Sequence, residues 1–220
     1  MIIKTLEVGP LMTNCYIVAD EKTKEAAIFD PGDNPEDIMV EIKKDNLTVK
    51  YIFNTHGHWD HIGANSDIKE ATGADIFINR KEAHMLEQAA ESAGKWGMIS
   101  KNSKTTSFIK EDDKFKLGDI IFKVIDLRGH SPAGAGFVFE VADTGFKETA
   151  TFVICGDALF AGSIGRTDFE GGDMEALLSD IQNKLFTLPD NTIVLPGHGP
   201  HTKIGHEKKT NPFFRTKRFN

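Results

Sequence analysis

Apolar and polar side chains alternate from Ile2 to Val8, and short apolar runs follow from Cys15 to Ala19 and from Ala26 to Phe29. Turn-formers close the first and third of these, Gly9-Pro10 and Asp30-Pro31-Gly32. A period of two marks a strand with one covered face, so the start of the chain predicts a meander of short strands. Asn34-Pro35-Glu36-Asp37 then opens a helical stretch to about Asp45, and Thr48 to Asn54, rich in branched and aromatic side chains, predicts a buried strand. That strand delivers the chain to Thr55-His56. Ile62 to Thr72 reads as a helix ended by Gly73, Ala74 to Ile78 as a strand, and Lys81 to Ala90 as a helix. Glu91 to Ser107 has no clear period and contains Gly94, Trp96 and Gly97, which predicts a long, lid-like loop.

The second half repeats this style. Lys114 to Leu117 and Ile120 to Asp126 flank a Gly118-Asp119 turn, and Gly136 to Val141 and Thr151 to Cys155 predict two further strands. Asp173 to Phe186 sets Leu177, Leu178, Ile181 and Leu185 on one helical face. Asn191 to Leu195 is the last long strand, and a short helix is expected after Pro200. Strands followed by a helix in each half predict an α/β protein of two stacked sheets with helices outside. The 220 residues are expected to form one domain, 1–220, large enough to bury its own core.

A hydrophobic share of 40% with 27% charged residues excludes a disordered or fibrous chain. The net charge of −7 argues against general nucleic-acid binding, which needs a basic surface to displace counterions. Basic residues do gather near the end, as Lys208, Lys209, Arg215, Lys217 and Arg218. The start of the chain lacks the apolar run of a signal peptide and nothing elsewhere is long enough to span a bilayer, so a cytoplasmic location and no membrane partner are expected. Cys15 and Cys155 sit in apolar strands, as buried reduced thiols do.

The chemistry is concentrated in His56-Gly57-His58-Trp59-Asp60-His61, directly after a predicted strand. A loop there lets four metal-binding side chains diverge toward two centres, which a regular strand or helix would not. Neutral imidazoles and a carboxylate suit zinc, and also iron or manganese. Three times more a strand ends and a ligand-type residue appears beside glycine: Gly129-His130, Gly156-Asp157 and Gly197-His198. Seven donors are too many for one closed tetrahedral site, so two divalent metals with an open position are expected.

The His56 to His61 segment resembles the HxHxDH signature of the metallo-β-lactamase superfamily, and His130, Asp157 and His198 match its later ligand positions in order. Gly156 to Phe160, Gly162 to Asp168 and Pro196 to Pro200 further resemble the short bacterial form of its glyoxalase II-like branch. The resemblance implies an αββα four-layer sandwich with the site at the edge between the sheets. It also implies that His56, His58 and His130 hold a first metal, that Asp60, His61 and His198 hold a second, and that Asp157 bridges both. One departure stands out: Ser131-Pro132-Ala133-Gly134 follows His130 where the family often has Thr-Pro-Gly.

Hydrolysis of a small thioester, S-2-hydroxyacylglutathione and S-lactoylglutathione above all, is the implied activity. Two cations lower the pKa of a shared water to about 7 and stabilise the oxyanion, with Asp60 as the catalytic residue that orients the nucleophile. A mononuclear-iron persulfide dioxygenase, to which Gly165 to Asp168 is also similar, is the alternative; a lactonase or phosphodiesterase stands behind it. Larger glyoxalase II enzymes bind glutathione with a C-terminal extension that this chain does not fully contain, and Lys208, Lys209 and Arg215 are the candidate substitutes. Asp30 is either a turn residue or an acceptor behind a ligand histidine. Arg166 and Asp168 are expected to pair and brace their loop, and His84, His201 and His206 to lie on the surface.

Overall fold

A computed structural model describes residues 1–142 and 149–215. Strands β1 (Ile2–Val8), β2 (Thr13–Ala19), β3 (Glu25–Phe29), β4 (Thr48–Phe53), β5 (Asp75–Asn79) and β6 (Ser107–Ile109) pair in sequence order as one sheet. It is antiparallel up to β3 and parallel from there to β6. The second sheet runs β14-β13-β10-β9-β8-β7, from Thr202–Lys203, Ile193–Pro196, Thr149–Gly156, Ala135–Ala142, Ile120–Asp126 and Lys114–Leu117. A small hairpin, β11 (Leu159–Phe160) and β12 (Ser163–Ile164), follows β10. Seven α-helices are present among the described residues: α1 (Pro35–Lys44), α2 (Trp59–Ile62), α3 (Asn65–Thr72), α4 (Ala83–Glu87), α5 (Ala89–Gly94), α6 (Met174–Asp180) and α7 (Ile204–Thr210).

Side-chain alternation explains the layering. Along β2, Cys15, Ile17 and Ala19 enter an apolar layer shared with Ile38, Ile42 and Ile68 of the helices, whereas Tyr16 and Val18 enter another with Phe29, Phe122 and Phe137. A third layer packs Val153, Cys155 and Val194 of the second sheet against Leu177, Ile181 and Ile204. Three apolar layers between helix, sheet, sheet and helix make the expected αββα sandwich. A strand covered on both faces reads as a continuous apolar run, as β2 does. Cys15 and Cys155 are buried free thiols. Among the described residues no helix is long and apolar enough to cross a membrane.

Three expectations need correction. The helix expected over Ile62–Thr72 is two helices, and the first of them already begins at Trp59, so Asp60 and His61 project from a helical turn and not from a loop. The stretch from Glu91 to Ser107 is not loop throughout: α5 runs to Gly94 with Ala89 and Ala93 buried beneath it, and β6 adds a parallel strand beside β5. Small residues at Ala89 and Ala93, four apart, pack one helical face with no large apolar side chain to announce it. The long helix expected to Phe186 is α6 followed by a π-helical turn, Ile181–Leu185.

Candidate metal centre

The chain leaves β4, β8, β10 and β13 at one edge of the sandwich, and the segments that follow carry His56, His130, Asp157 and His198. Hydrogen bonds stitch these segments together: Ala135 N–H donates to Thr55 O at 2.7 Å, Gly197 N–H to Gly156 O at 2.8 Å and Asn14 N–H to Gly197 O at 2.7 Å. All seven candidate ligands meet there. Nε2 of His56 and Nε2 of His130 each lie 3.0 Å from Nδ1 of His58. Asp60 Oδ2 lies 3.5 Å from His61 Nε2 and 3.3 Å from His198 Nε2. Asp157 faces both groups, with Oδ2 3.5 Å from His130 Nε2 and from His198 Nε2, and Oδ1 3.5 Å from His61 Nε2.

Donor atoms about 2.1 Å from a tetrahedral ion stand roughly 3.4 Å from one another, so these spacings suit cations. A second observation agrees. His61 Nε2 and Asp157 Oδ1 are buried without a hydrogen-bond partner. Buried polar atoms are nearly always satisfied, and a divalent cation between these two would satisfy both.

Four of the five histidines are aimed by an acceptor on the ring nitrogen turned away from the cluster. Nδ1 of His130 donates to Arg166 O at 2.8 Å and Nδ1 of His198 to Leu11 O at 3.1 Å, which leaves each Nε2 lone pair pointing inward. His61 Nδ1 lies 3.1 Å from Asp30 Oδ2, and His56 Nδ1 lies 3.0 Å from Thr55 Oγ1. Asp30 is therefore the acceptor behind a candidate ligand. It takes up a left-handed backbone, φ 51°, and also accepts Thr55 N–H and Oγ–H at 2.7 Å each.

The two groups differ electrostatically. Burial holds the His56 imidazole well below its ordinary pKa and that of His58 down to about 3, and it lowers His130 as well. Burial alone would lower His61 too, but Asp60, Asp157 and Asp30 override it and raise His61 to about 10. His198 is raised in the same way by Asp60 against its own burial. Burial pushes the Asp60 carboxyl up, yet His61 and His198 carry it below its usual range.

Three supporting residues carried no sequence signal. Thr13 Oγ–H donates to Asp60 Oδ2 at 3.2 Å, while the Thr13 backbone pairs with that of His198. Asn14 Nδ2 donates to Pro196 O at 3.0 Å and Gly199 O at 2.9 Å, clasping the loop that carries His198. Glu82 is buried behind the first group and accepts Gly57 N–H. At Gly197 a Cβ would collide with Asp157 Oδ1 and the His61 ring, so glycine is required by space.

The expected Arg166–Asp168 ion pair is present, bidentate at 2.6 and 2.7 Å and exposed. The Arg166 guanidinium also lies 4.0 Å over the Phe169 ring, which packs 5.3 Å from His58 and 6.4 Å from the exposed Trp96. Lys208 is engaged elsewhere, with its ammonium 2.6 Å from Asp190 Oδ1. Lys209 and Arg215 are exposed, as are His84, His201 and His206, while Lys217 and Arg218 lie outside the described residues.

Comparison with known proteins places the geometry in context. Residues 8–198 match the metallo-beta-lactamase superfamily. The hydroxyacylglutathione hydrolase GloC of Haemophilus influenzae is 36% identical, over 99% of this chain and 100% of its own. Among solved structures, the B3 metallo-beta-lactamase BLEG-1 superposes with a TM-score of 0.87 at 34% identity, covering 98% of this chain and 100% of that one. TTHA1623 in a di-iron-bound form gives 0.82 at 33% identity, covering 96% and 99%.

Proposed function

The chain belongs to the metallo-beta-lactamase superfamily as a metallo-hydrolase, and from that premise we propose that it hydrolyses S-2-hydroxyacylglutathione thioesters such as S-lactoylglutathione at a centre of two divalent metal ions. The observation that carries this reading is the meeting of His56, His58 and His130 with Asp60, His61 and His198 across one shared carboxylate, Asp157. Zinc suits this donor set, and iron or manganese also fit it. The substrate assignment draws its support from the full-length likeness to GloC.

When bound, two such ions supply a water that ionises near neutral pH and a Lewis acid for the carbonyl oxygen. The chain does the positioning. Asp60, fixed by Thr13 Oγ–H and held ionised by its histidine neighbours, accepts a hydrogen bond from the attacking water and orients its lone pair toward the carbonyl carbon. Attack breaks the C–S bond after an oxyanion forms, giving a hydroxy acid and glutathione thiolate. That thiolate leaves without a dedicated acid, because a free thiol has a pKa of only about 8.5. Phe169 walls the side of the centre next to His58, and the exposed cations of Lys209 and Arg215 are the proposed attraction for the glutathione carboxylates.

Purified protein reconstituted with zinc, assayed against S-lactoylglutathione by loss of thioester absorbance, tests the proposal. A kcat/KM above about 10⁴ M⁻¹s⁻¹ that vanishes in a chelated control is the expected result. A rate at the chelated background would exclude glutathione thioesters and turn attention to glutathione persulfide with one iron per chain, then to lactones and phosphodiesters.

A further inference from the structure

Glu82 ends a 3₁₀ turn, Arg80–Glu82, that follows β5, and it is 0% exposed. Burying a carboxylate is costly unless its oxygens are hydrogen-bonded. Here they are: Oε2 accepts Gly57 N–H at 2.6 Å, and Oε1 accepts Ser131 Oγ–H at 2.6 Å and Ala133 N–H at 2.7 Å. All three bonds are short, as hydrogen bonds to an anion are.

The placement of these donors matters more than their number. Gly57 lies between His56 and His58, and Ser131 follows His130 directly. One side chain thus clasps two segments, distant in sequence, that carry the three imidazoles of the first group. The second group is braced by other means: Asp30 behind His61, Thr13 on Asp60 and Leu11 O behind His198. Glu82 makes none of those contacts. A Cβ at Gly57 would meet Met85 and the Glu82 backbone, so this loop and the Glu82 turn are also in close apposition.

We propose that Glu82 is the positioning residue of the three-histidine group, setting the distance of His130 from His56 and His58 and so the affinity for the first metal ion, with no part in holding the second. This rests on the two-metal reading given above. Glutamine at this position keeps the size and one acceptor, but its amide nitrogen must face either Gly57 N–H or the Ser131 and Ala133 donors, setting donor against donor.

The test is zinc titration of metal-stripped wild type, Glu82→Gln and Ser131→Ala with a competing chelator, while imidazole ¹H–¹⁵N signals report which histidines respond. Glu82→Gln is expected to weaken binding at His56, His58 and His130 by about 10–100-fold, the usual effect of removing a partner behind the ligands. The response of His61 and His198 should stay at the wild-type zinc concentration. Ser131→Ala removes only one of the three donors, so it should give a smaller loss at the same group and carries the test if Glu82→Gln does not fold. Wild-type affinity at the first group in either folded variant, or equal weakening at both groups, would overturn the role of Glu82. Wild-type protein that binds zinc at only one group would instead overturn the two-metal reading beneath it.

Discussion

The two halves of the centre are prepared for a cation in opposite ways. His56, His58 and His130 are neutral imidazoles whose protons have been driven off by burial, with His58 pushed down to about 3. His61 and His198 sit among carboxylates that draw protons onto them, and His61 rises to about 10. A cation entering the first group therefore finds lone pairs ready, whereas one entering the second must displace a proton. Asp157 joins the two and belongs to neither.

Removing the shared residue should break the contrast most severely. Asp157→Ala is expected to lower kcat/KM by more than about 100-fold, beyond the range of a contact behind the ligands, and to reduce zinc content in both groups. Zinc retained by either group at wild-type affinity would show that Asp157 does not face both ions. The contrast itself predicts different pH behaviour. Because the His61 pKa is raised, the ring is protonated at neutral pH and must give up its proton, so affinity at the second group should rise with pH, by up to about tenfold per unit between pH 6 and 8. The first group, its histidines already neutral there, should change little. Calorimetric zinc titration in that range checks both slopes, and parallel slopes would remove the distinction.

Smaller effects sharpen the picture on the second side. Asp30→Asn takes the anion from behind His61 and should weaken the second zinc by about 10-fold; the first should weaken less, because Asp30 reaches His56 only through Thr55, and chelator competition would show both. Thr13→Val keeps the shape but deletes the donor to Asp60; a loss of roughly 1 kcal/mol, about fivefold in kcat/KM, is expected. An unchanged rate would mean that Asp60 is oriented without Thr13.

The same contrast marks what a sequence can disclose. His56, His58, Asp60 and His61 stand together in the chain, and His130, Asp157 and His198 each sit beside a glycine at a strand end, so the side chains that converge were legible as candidate ligands. The layers were legible too, because β2 is apolar on both faces and the other strands alternate or run apolar. What aims these side chains was not. Thr13, Asn14 and Glu82 look like ordinary polar residues until the fold brings them to Asp60, Pro196 and Gly57, across separations no local pattern reports. Asp30 left a choice between turn and acceptor, and its left-handed backbone with three hydrogen bonds shows that it is both. The stretch from Glu91 failed for a different reason. Its helix packs through alanines and its strand is three residues long, too little in either case to make a period.

The most direct test of a two-metal thioester hydrolase is the rate of S-lactoylglutathione hydrolysis by metal-stripped protein as zinc is added back in measured equivalents. The rate should climb until two zinc ions per chain are bound and then level off. A plateau at one equivalent, or a rate indifferent to zinc, would contradict the account.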